Sequence, residues 1–113
     1  MSSNESQVVG LIGKEILRRF PTAWVFKVVG SPYQMVGVPD LLVVIDGLLF
    51  GLEVKHQKPH ETKVAARRRT TAGQRYQISR INRAGGVATT VLTPYEAVRV
   101  IAWGLRERGR RRS

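Results

Sequence analysis

The stretch PDLLVVIDGLLFGLEV constrains the fold more tightly than any other part of this chain, because it has the pattern of two strands joined by a tight turn. The runs 39–45 and 48–54 are apolar and rich in branched residues, which is typical of buried strands. Only Asp46 and Gly47 stand between them, and Asp-Gly is a strong signal for a two-residue turn. We therefore predict a β-hairpin.

The open end of this hairpin brings two acidic residues together. If Ile45 faces Leu48, counting away from the turn along both strands puts Asp40 opposite Glu53, and like charges in that position are normally destabilising. Lys55 points to the same face as Glu53, because strand side chains alternate. A divalent cation such as Mg²⁺ or Mn²⁺ would compensate the paired carboxylates. A structural ion pair with Lys55 would also do so, and geometry alone leaves both interpretations open.

Around the hairpin, apolar periodicity and capping signals predict three helices and two further strands. The helices are residues 5–20, 74–84 and 94–106, and the strands are residues 23–29 and 87–92. Thr71 with Gln74 and Thr93 with Glu96 have the spacing of capping boxes at the starts of the second and third helices. The order of these elements indicates an α/β fold with one central mixed sheet.

The chain has 113 residues, which is enough for one domain with a modest core. Residues 1–106 form the predicted domain. Within it, residues 56–73 are predicted to be a long basic loop. Residues 107–113 are predicted to be a basic tail with too few apolar side chains to pack.

The charge of the chain points to a polyanionic partner. The formal net charge is +11 and the sequence pI is about 11.3, so nucleic acid is the expected partner and a membrane is not. The chain has no cysteine, and nothing near His56 and His60 completes a zinc site. No apolar run is long enough to span a membrane, and the start MSSNESQ lacks the layout of a signal peptide, so a cytoplasmic protein is expected.

Pro39-Asp40, followed after the hairpin by Glu53-Val54-Lys55, resembles the PD-(D/E)XK nuclease motif. More narrowly, the chain resembles the VRR-NUC family of small, often phage-encoded nucleases. The resemblance rests on the segments VFKVVGSPYQMVGVPDLLVV and GLEVK, and on a glutamine that opens a helix running into AGGVATTVLTPYEAV. It covers roughly residues 5 to 101.

The resemblance implies a single restriction-endonuclease-like domain that cleaves branched DNA, such as four-way junctions, as a metal-dependent homodimer. Mg²⁺ or Mn²⁺ would be the cofactor, and no organic cofactor is expected. The implied metal ligands are Asp40, Glu53, the Val54 carbonyl and Glu5. The implied catalytic residues are Asp40, Glu53, Lys55 and Gln74.

Several of these residues also fit plainer roles. Glu5 has the spacing to complete a capping box with Ser2, and Gln74 has the spacing to bond back to Thr71. Glu15 is interpreted as a surface residue because Arg18 and Arg19 follow it at helical ion-pair spacing. Lys27 fits either a position facing the site or an edge strand that carries a lysine.

The basic segment after the hairpin is interpreted as a grip on DNA phosphates. The residues assigned to it are Lys58, Lys63, Arg67, Arg68 and Arg69. Two other interpretations remain open. One is a basic DNA-binding module without chemistry, and the other is a nuclease that acts on flaps or linear duplex.

Overall fold

The structure is a computed structural model that describes residues 3–30 and 35–112, so Ser2 and its expected cap lie outside the described residues. Four helices and four strands follow one another along the chain. They are α1 (Ser3–Arg19), β1 (Trp24–Lys27), β2 (Leu41–Ile45), β3 (Leu48–Val54), α2 (Lys63–Arg68), α3 (Ala72–Arg83), β4 (Val87–Val91) and α4 (Pro94–Arg112). Apart from α2 and the end of α4, their bounds differ from the sequence prediction by about two residues at most.

The predicted hairpin between β2 and β3 is confirmed. Its turn residues, Asp46 and Gly47, have φ values of 51° and 78°, and positive φ at both positions is what the favoured hairpin turn requires. Ile45 pairs with Leu48, and the last pair of the ladder joins Leu41 to Leu52. The next position outward on each strand is therefore Asp40 on one and Glu53 on the other.

The four strands form one mixed sheet in the order β1-β2-β3-β4. The pairs β1–β2 and β2–β3 are antiparallel, whereas β3 and β4 are parallel. The predicted fold class, an α/β domain with a central mixed sheet, is confirmed. Below, the end of the sheet that bears Asp40 and Glu53 is the carboxylate end, and the end that bears Asp46 and Gly47 is the turn end.

Helices cover both faces of this sheet. α1 and α4 pack together on one face, where alternate residues of β2 and β3 meet them in the buried core. Contact with α4 is close at Gly104, where an added Cβ would lie 2.7 Å from the Phe50 ring. α3 lies on the other face, and there Gly51 leaves room for the Ile81 side chain. Glycine on each side of β3 therefore lets a helix approach it closely.

The prediction that residues 56–73 are all loop is wrong, because α2 lies within them. Thr62 caps this short helix, and its Oγ1 accepts a hydrogen bond of 3.0 Å from the backbone N–H of Ala65. One side chain, Ala66, is fully buried. α2 has only six residues and buries only one of its side chains. The rest of the segment can therefore be polar.

The predicted end of the third helix at residue 106 is also wrong, because α4 continues to Arg112, so residues 107–112 are helical rather than an irregular tail, although residues 109–112 are exposed. Arginine and glutamate have high helix propensity, and Glu107 forms an ion pair of 3.1 Å with Arg110 one turn later. Continuing an existing helix also avoids the cost of nucleating one. In the described parts of the chain, no helix is both long and apolar enough to cross a bilayer.

Candidate functional site

Asp40 is fixed at the carboxylate end by hydrogen bonds to both neighbouring strands. Its Oδ2 accepts a hydrogen bond of 2.8 Å from the backbone N–H of Val54, at the end of β3. Its own carbonyl accepts one of 2.9 Å from the N–H of Val28, just beyond β1. The carboxylate is therefore held in place across the sheet before any ligand binds.

Glu53 is almost completely buried, with 2% of its surface exposed, although it carries a carboxyl group. Its Oε2 lies 3.4 Å from the Nζ of Lys55, which is itself only 8% exposed. Its Oε1 is buried and has no hydrogen-bond partner within the described residues. Burial of this kind is costly for an ionised carboxylate.

Burial, and after it the neighbouring Asp40 carboxylate, together raise the pKa of Glu53 to about 8. The Lys55 ammonium opposes both effects but does not cancel them. Two carboxylates with one ammonium and one unsatisfied oxygen form a site that a further cation would complete. The donor set fits a hard divalent ion, which favours one or two carboxylates. The roles of these residues and of the Val54 carbonyl as metal ligands stay predictions.

The loop that leads into Asp40 rests on the first turn of α3. Gly37 has a φ of +84°, and a Cβ added there would lie 2.3 Å from the carbonyl oxygen of Gly73 and 2.8 Å from the N of Gln74. Only glycine allows both this backbone conformation and this approach. The start of α3 therefore positions the chain immediately before Asp40.

Gln74 forms the capping box that its sequence context indicated. Its Oε1 accepts a hydrogen bond of 2.8 Å from the N–H of Thr71, whose Oγ1 accepts one of 3.1 Å from the N–H of Gln74. The side chain is thus used to cap α3, while its backbone lies beside the loop that carries Asp40. Its catalytic role stays a prediction.

Glu5 faces the same cavity as Asp40 from the other side. This cavity, of about 450 Å³, is lined by Glu5 and Asp40, and also by Lys27 of the edge strand β1. Lys27 therefore fits both of its interpretations, an edge-strand lysine and a residue that faces the site. The Oε2 of Glu5 accepts a weak hydrogen bond of 3.4 Å from the N–H of His56 and lies 3.8 Å from the Nη1 of Arg69.

The structure brings Asp40 and Glu53 together but does not join Glu5 to them as one cluster. Within residues 3–30 and 35–112, no three Asp, Glu, His or Cys side chains converge closely enough to hold one metal ion. Glu15, the other acidic residue of α1, forms the expected surface ion pair, 2.7 Å from Arg18. Glu5 is thus the acidic residue of α1 that faces the site.

The five basic residues assigned to DNA divide into two groups. Arg67 forms an ion pair of 2.7 Å with Glu96, and Arg69 bonds at 3.0 Å to Glu61. The bond from Arg69 and the N–H of Lys58 together lower the pKa of Glu61 to about 2. The exposed basic residues without such ion pairs in the described structure are Lys58, Lys63 and Arg68.

Sequence reasoning missed that Arg69 joins three segments. It donates to the carbonyl of His56 after β3, and it contacts both Glu61 and Glu5. The residue types and their order along the chain give no signal for this arrangement. It depends on the residue that ends α2 lying beside the first turn of α1.

Comparison with known proteins supports the fold. The chain matches no protein-family model and no curated protein. Among solved structures it is similar to one titled "VRR_NUC domain", with a TM-score of 0.57 and 22% sequence identity over 89% of this chain and 97% of that chain. The chain has a VRR-NUC-type fold, as its resemblance implied.

Proposed function

We propose that the protein is a Mg²⁺- or Mn²⁺-dependent endonuclease that hydrolyses phosphodiester bonds in DNA. The observation that carries the proposal is the buried Glu53 beside Asp40 and Lys55, with its Oε1 left without a hydrogen-bond partner among the described residues. A structural ion pair would not require a second carboxylate at this position, and the second carboxylate makes the ionised cluster less stable. The fold and the net charge of +11 also support a nuclease that acts on DNA.

In this proposal, Asp40 and Glu53 would hold the metal ion, which supplies a Lewis acid for the scissile phosphate. The hydrogen bond from Val54 keeps Asp40 aimed at that position before substrate arrives. Lys55 donates to a phosphate oxygen, or to the attacking water, as charge develops. The water gives up one proton as its oxygen bonds to phosphorus, the bond from phosphorus to the leaving oxygen breaks, and the leaving oxygen takes up one proton, so no net proton is gained or lost.

A cleavage assay tests this proposal. Labelled four-way junction, flap and linear duplex DNA would be incubated with the protein in Mg²⁺, Mn²⁺ or EDTA. We expect cleavage only with metal, and a loss of at least about a hundredfold in rate for both Asp40→Asn and Lys55→Ala. Metal-independent cleavage, or full activity in either variant, would contradict the assigned chemistry.

The hairpin supplies a matched control for the carboxylate. Asp46→Asn makes the same chemical change at the opposite end of the same hairpin, and asparagine tolerates the positive φ found there. This variant should cleave like the wild type. If all proteins bind DNA equally and none cleaves it, the protein is instead a binding module without chemistry.

We further propose that the preferred substrate is branched DNA and that the active form is a homodimer. A domain with principal extents of 43 × 28 × 25 Å needs a second copy to reach two strands of a four-way junction symmetrically. α1 offers an apolar surface for such contact, because Leu11 and Leu17 are 56% and 45% exposed. Sedimentation that shows a monomer at micromolar concentration, with or without junction, would refute the dimer.

A further inference from the structure

A second basic surface lies at the turn end of the sheet, remote from Asp40 and Glu53. β4 is parallel to β3 and so begins at the turn end, which places the end of α3 there. α4 starts where β4 finishes and runs back to the same end, where a Cβ added at Gly47 would lie 3.8 Å from the Arg108 guanidinium. We call Arg80, Arg83, Arg108 and Arg111 the turn-end arginine surface.

These four arginines line grooves that adjoin one another around the Gly85-Gly86 turn. Arg80 lines one groove beside the hairpin turn, of about 340 Å³, and shares another with Arg83, of about 420 Å³. Arg108 and Arg111 line a third, of about 230 Å³. Because Gly85 and Gly86 carry no side chains, the arginines of α3 and α4 border one continuous open surface.

The arginines of this surface are not neutralised by acidic neighbours. Within the described residues, Arg83, Arg108 and Arg111 form no ion pair, and Arg80 donates a hydrogen bond of 3.1 Å to the Tyr76 hydroxyl. Glu107 borders the third groove, but its carboxylate pairs with Arg110. The positive charge is therefore directed to solvent.

Helix dipoles account for only part of this arrangement. Cations near a helix C-terminus are favourable, and α1 also ends in two arginines. Those two, Arg18 and Arg19, lie 2.7 and 4.0 Å from Glu15, so α1 largely balances its own charge. α1 also ends at the turn end, because β1 begins there with Trp24 opposite Val44. Unlike α1, helices α3 and α4 bring to that end guanidinium groups that form no ion pair within the described residues. Guanidinium groups suit phosphate oxygens, to which they can donate two parallel hydrogen bonds.

We propose that the turn-end arginine surface binds the sugar-phosphate backbone of a duplex DNA arm that extends away from the cleavage site. Leu48 and Glu53 are five residues apart on β3, which corresponds to roughly 17 Å. At about 3.4 Å per base pair, an arm must extend about five base pairs from the site to reach this surface. The proposal rests on DNA as the substrate, but not on its cleavage.

The test is a binding assay on the full chain carrying Asp40→Asn, so that cleavage does not interfere. Fluorescence anisotropy would compare junctions whose arms, closed by loops, contain about 4 or about 16 base pairs. Arg108→Ala/Arg111→Ala is the test variant, and Arg18→Ala/Arg19→Ala is the charge-matched control. Circular dichroism would establish that all three proteins are folded equally.

We expect the test variant to lose roughly tenfold in affinity for long-arm DNA in low salt. The negative slope of log association constant against log salt concentration should become shallower by about 1.8, because two phosphate contacts contribute about 0.9 each. The loss should be much smaller for short-arm DNA and for the control variant. This result would support the proposal even if the wild-type protein cleaved no DNA, so failure of the proposed nuclease activity is distinguished from failure of this surface.

Three results would overturn the proposal. The first is an equal loss of affinity by the test variant for short-arm and long-arm DNA. The second is an equal loss of affinity for long-arm DNA in the control variant, and the third is no loss of affinity in the test variant. A fourth result would overturn it as well: tighter binding of the parent protein to phosphatidylserine vesicles than to long-arm DNA, lost in the test variant, would assign the surface to a membrane.

Discussion

Replacing Glu53 with glutamine should stabilise the metal-free protein, although the residue is central to the candidate site. The folded protein raises the pKa of Glu53 from an ordinary 4.5 to about 8, chiefly because the side chain is buried. Between these values the folded state keeps a proton that the unfolded state releases. The free energy of unfolding must therefore fall as pH rises from about 4.5 to about 8. Glutamine has nearly the same shape and does not titrate.

The size of the effect follows from the two pKa values. The interval from 4.5 to about 8, at 1.36 kcal/mol per pKa unit, corresponds to roughly 5 kcal/mol once the pH exceeds 8. At pH 7 the same linkage gives roughly 3 kcal/mol, and below pH 4.5 it gives almost none. Because a small domain typically has only about 5–15 kcal/mol of stability in total, the metal-free wild type should be only weakly folded at pH 9.

Urea denaturation in EDTA, followed by circular dichroism at several pH values from 5 to 9, measures this directly. The free energy of unfolding of Glu53→Gln should exceed that of the wild type by an amount that grows as pH rises and levels off above pH 8. Glu15→Gln is the control, because Glu15 is a surface residue paired with Arg18, and it should show no such gain. If the difference in the free energy of unfolding between the wild type and Glu53→Gln stayed constant across this range, it would be wrong to explain it by the cost of ionising a buried carboxyl group.

Four further predictions test the site and the fold. Adding Mg²⁺ should raise the wild-type melting temperature more at pH 8.5 than at pH 5.5, and should leave Glu53→Gln almost unchanged in differential scanning fluorimetry. Gly37→Ala should cost about 2 kcal/mol or more in urea denaturation, because of its positive φ and its contact with α3. Gly30→Ala, where an added Cβ meets no atom of the described residues within 4 Å, is its control and should change stability by less than about 0.5 kcal/mol. Asn82→Ala should cost about 1–3 kcal/mol in the same assay, because the amide of Asn82 makes hydrogen bonds of 2.8 and 2.9 Å to the β4 backbone. Gly109→Ala should increase helicity by circular dichroism and add up to about 1 kcal/mol, and no increase would contradict the continuation of α4 to Arg112.

The hairpin could be predicted from sequence because its signals are local. Asp46-Gly47 determines the turn, the turn determines the register, and the register puts Asp40 opposite Glu53. The capping boxes were predictable for the same reason, because each depends on residues three positions apart. At Thr93, however, Glu96 accepts from the N–H of the preceding residue, Leu92, rather than from Thr93 itself.

Apart from the extension of α4, the features that the sequence did not reveal depend on contacts between distant segments. The extension of α4 was missed because a run of charged residues was interpreted as solvated tail, whereas charge does not prevent an established helix from continuing. The fit between Gly37 and Gly73 requires two segments that are far apart in sequence. Arg69 was assigned to DNA from its charge and from its place in the basic segment next to the candidate site, and no sequence pattern indicated its bonds to Glu61 and Glu5.

The same buried carboxylate that weakens the metal-free fold can increase the affinity of the site for a cation. The sheet keeps Asp40 in place through Val54 and Val28, so the two carboxylates cannot separate to reduce their repulsion. Their unfavourable energy is retained until a proton or a cation arrives. Above pH 8 the ionised Glu53 carries roughly 5 kcal/mol of unfavourable energy, chiefly from burial and then from Asp40, so a cation that relieved all of it would gain at most between three and four powers of ten in affinity. Below that pH a proton competes for Glu53, so cation affinity should weaken as the solution becomes more acidic.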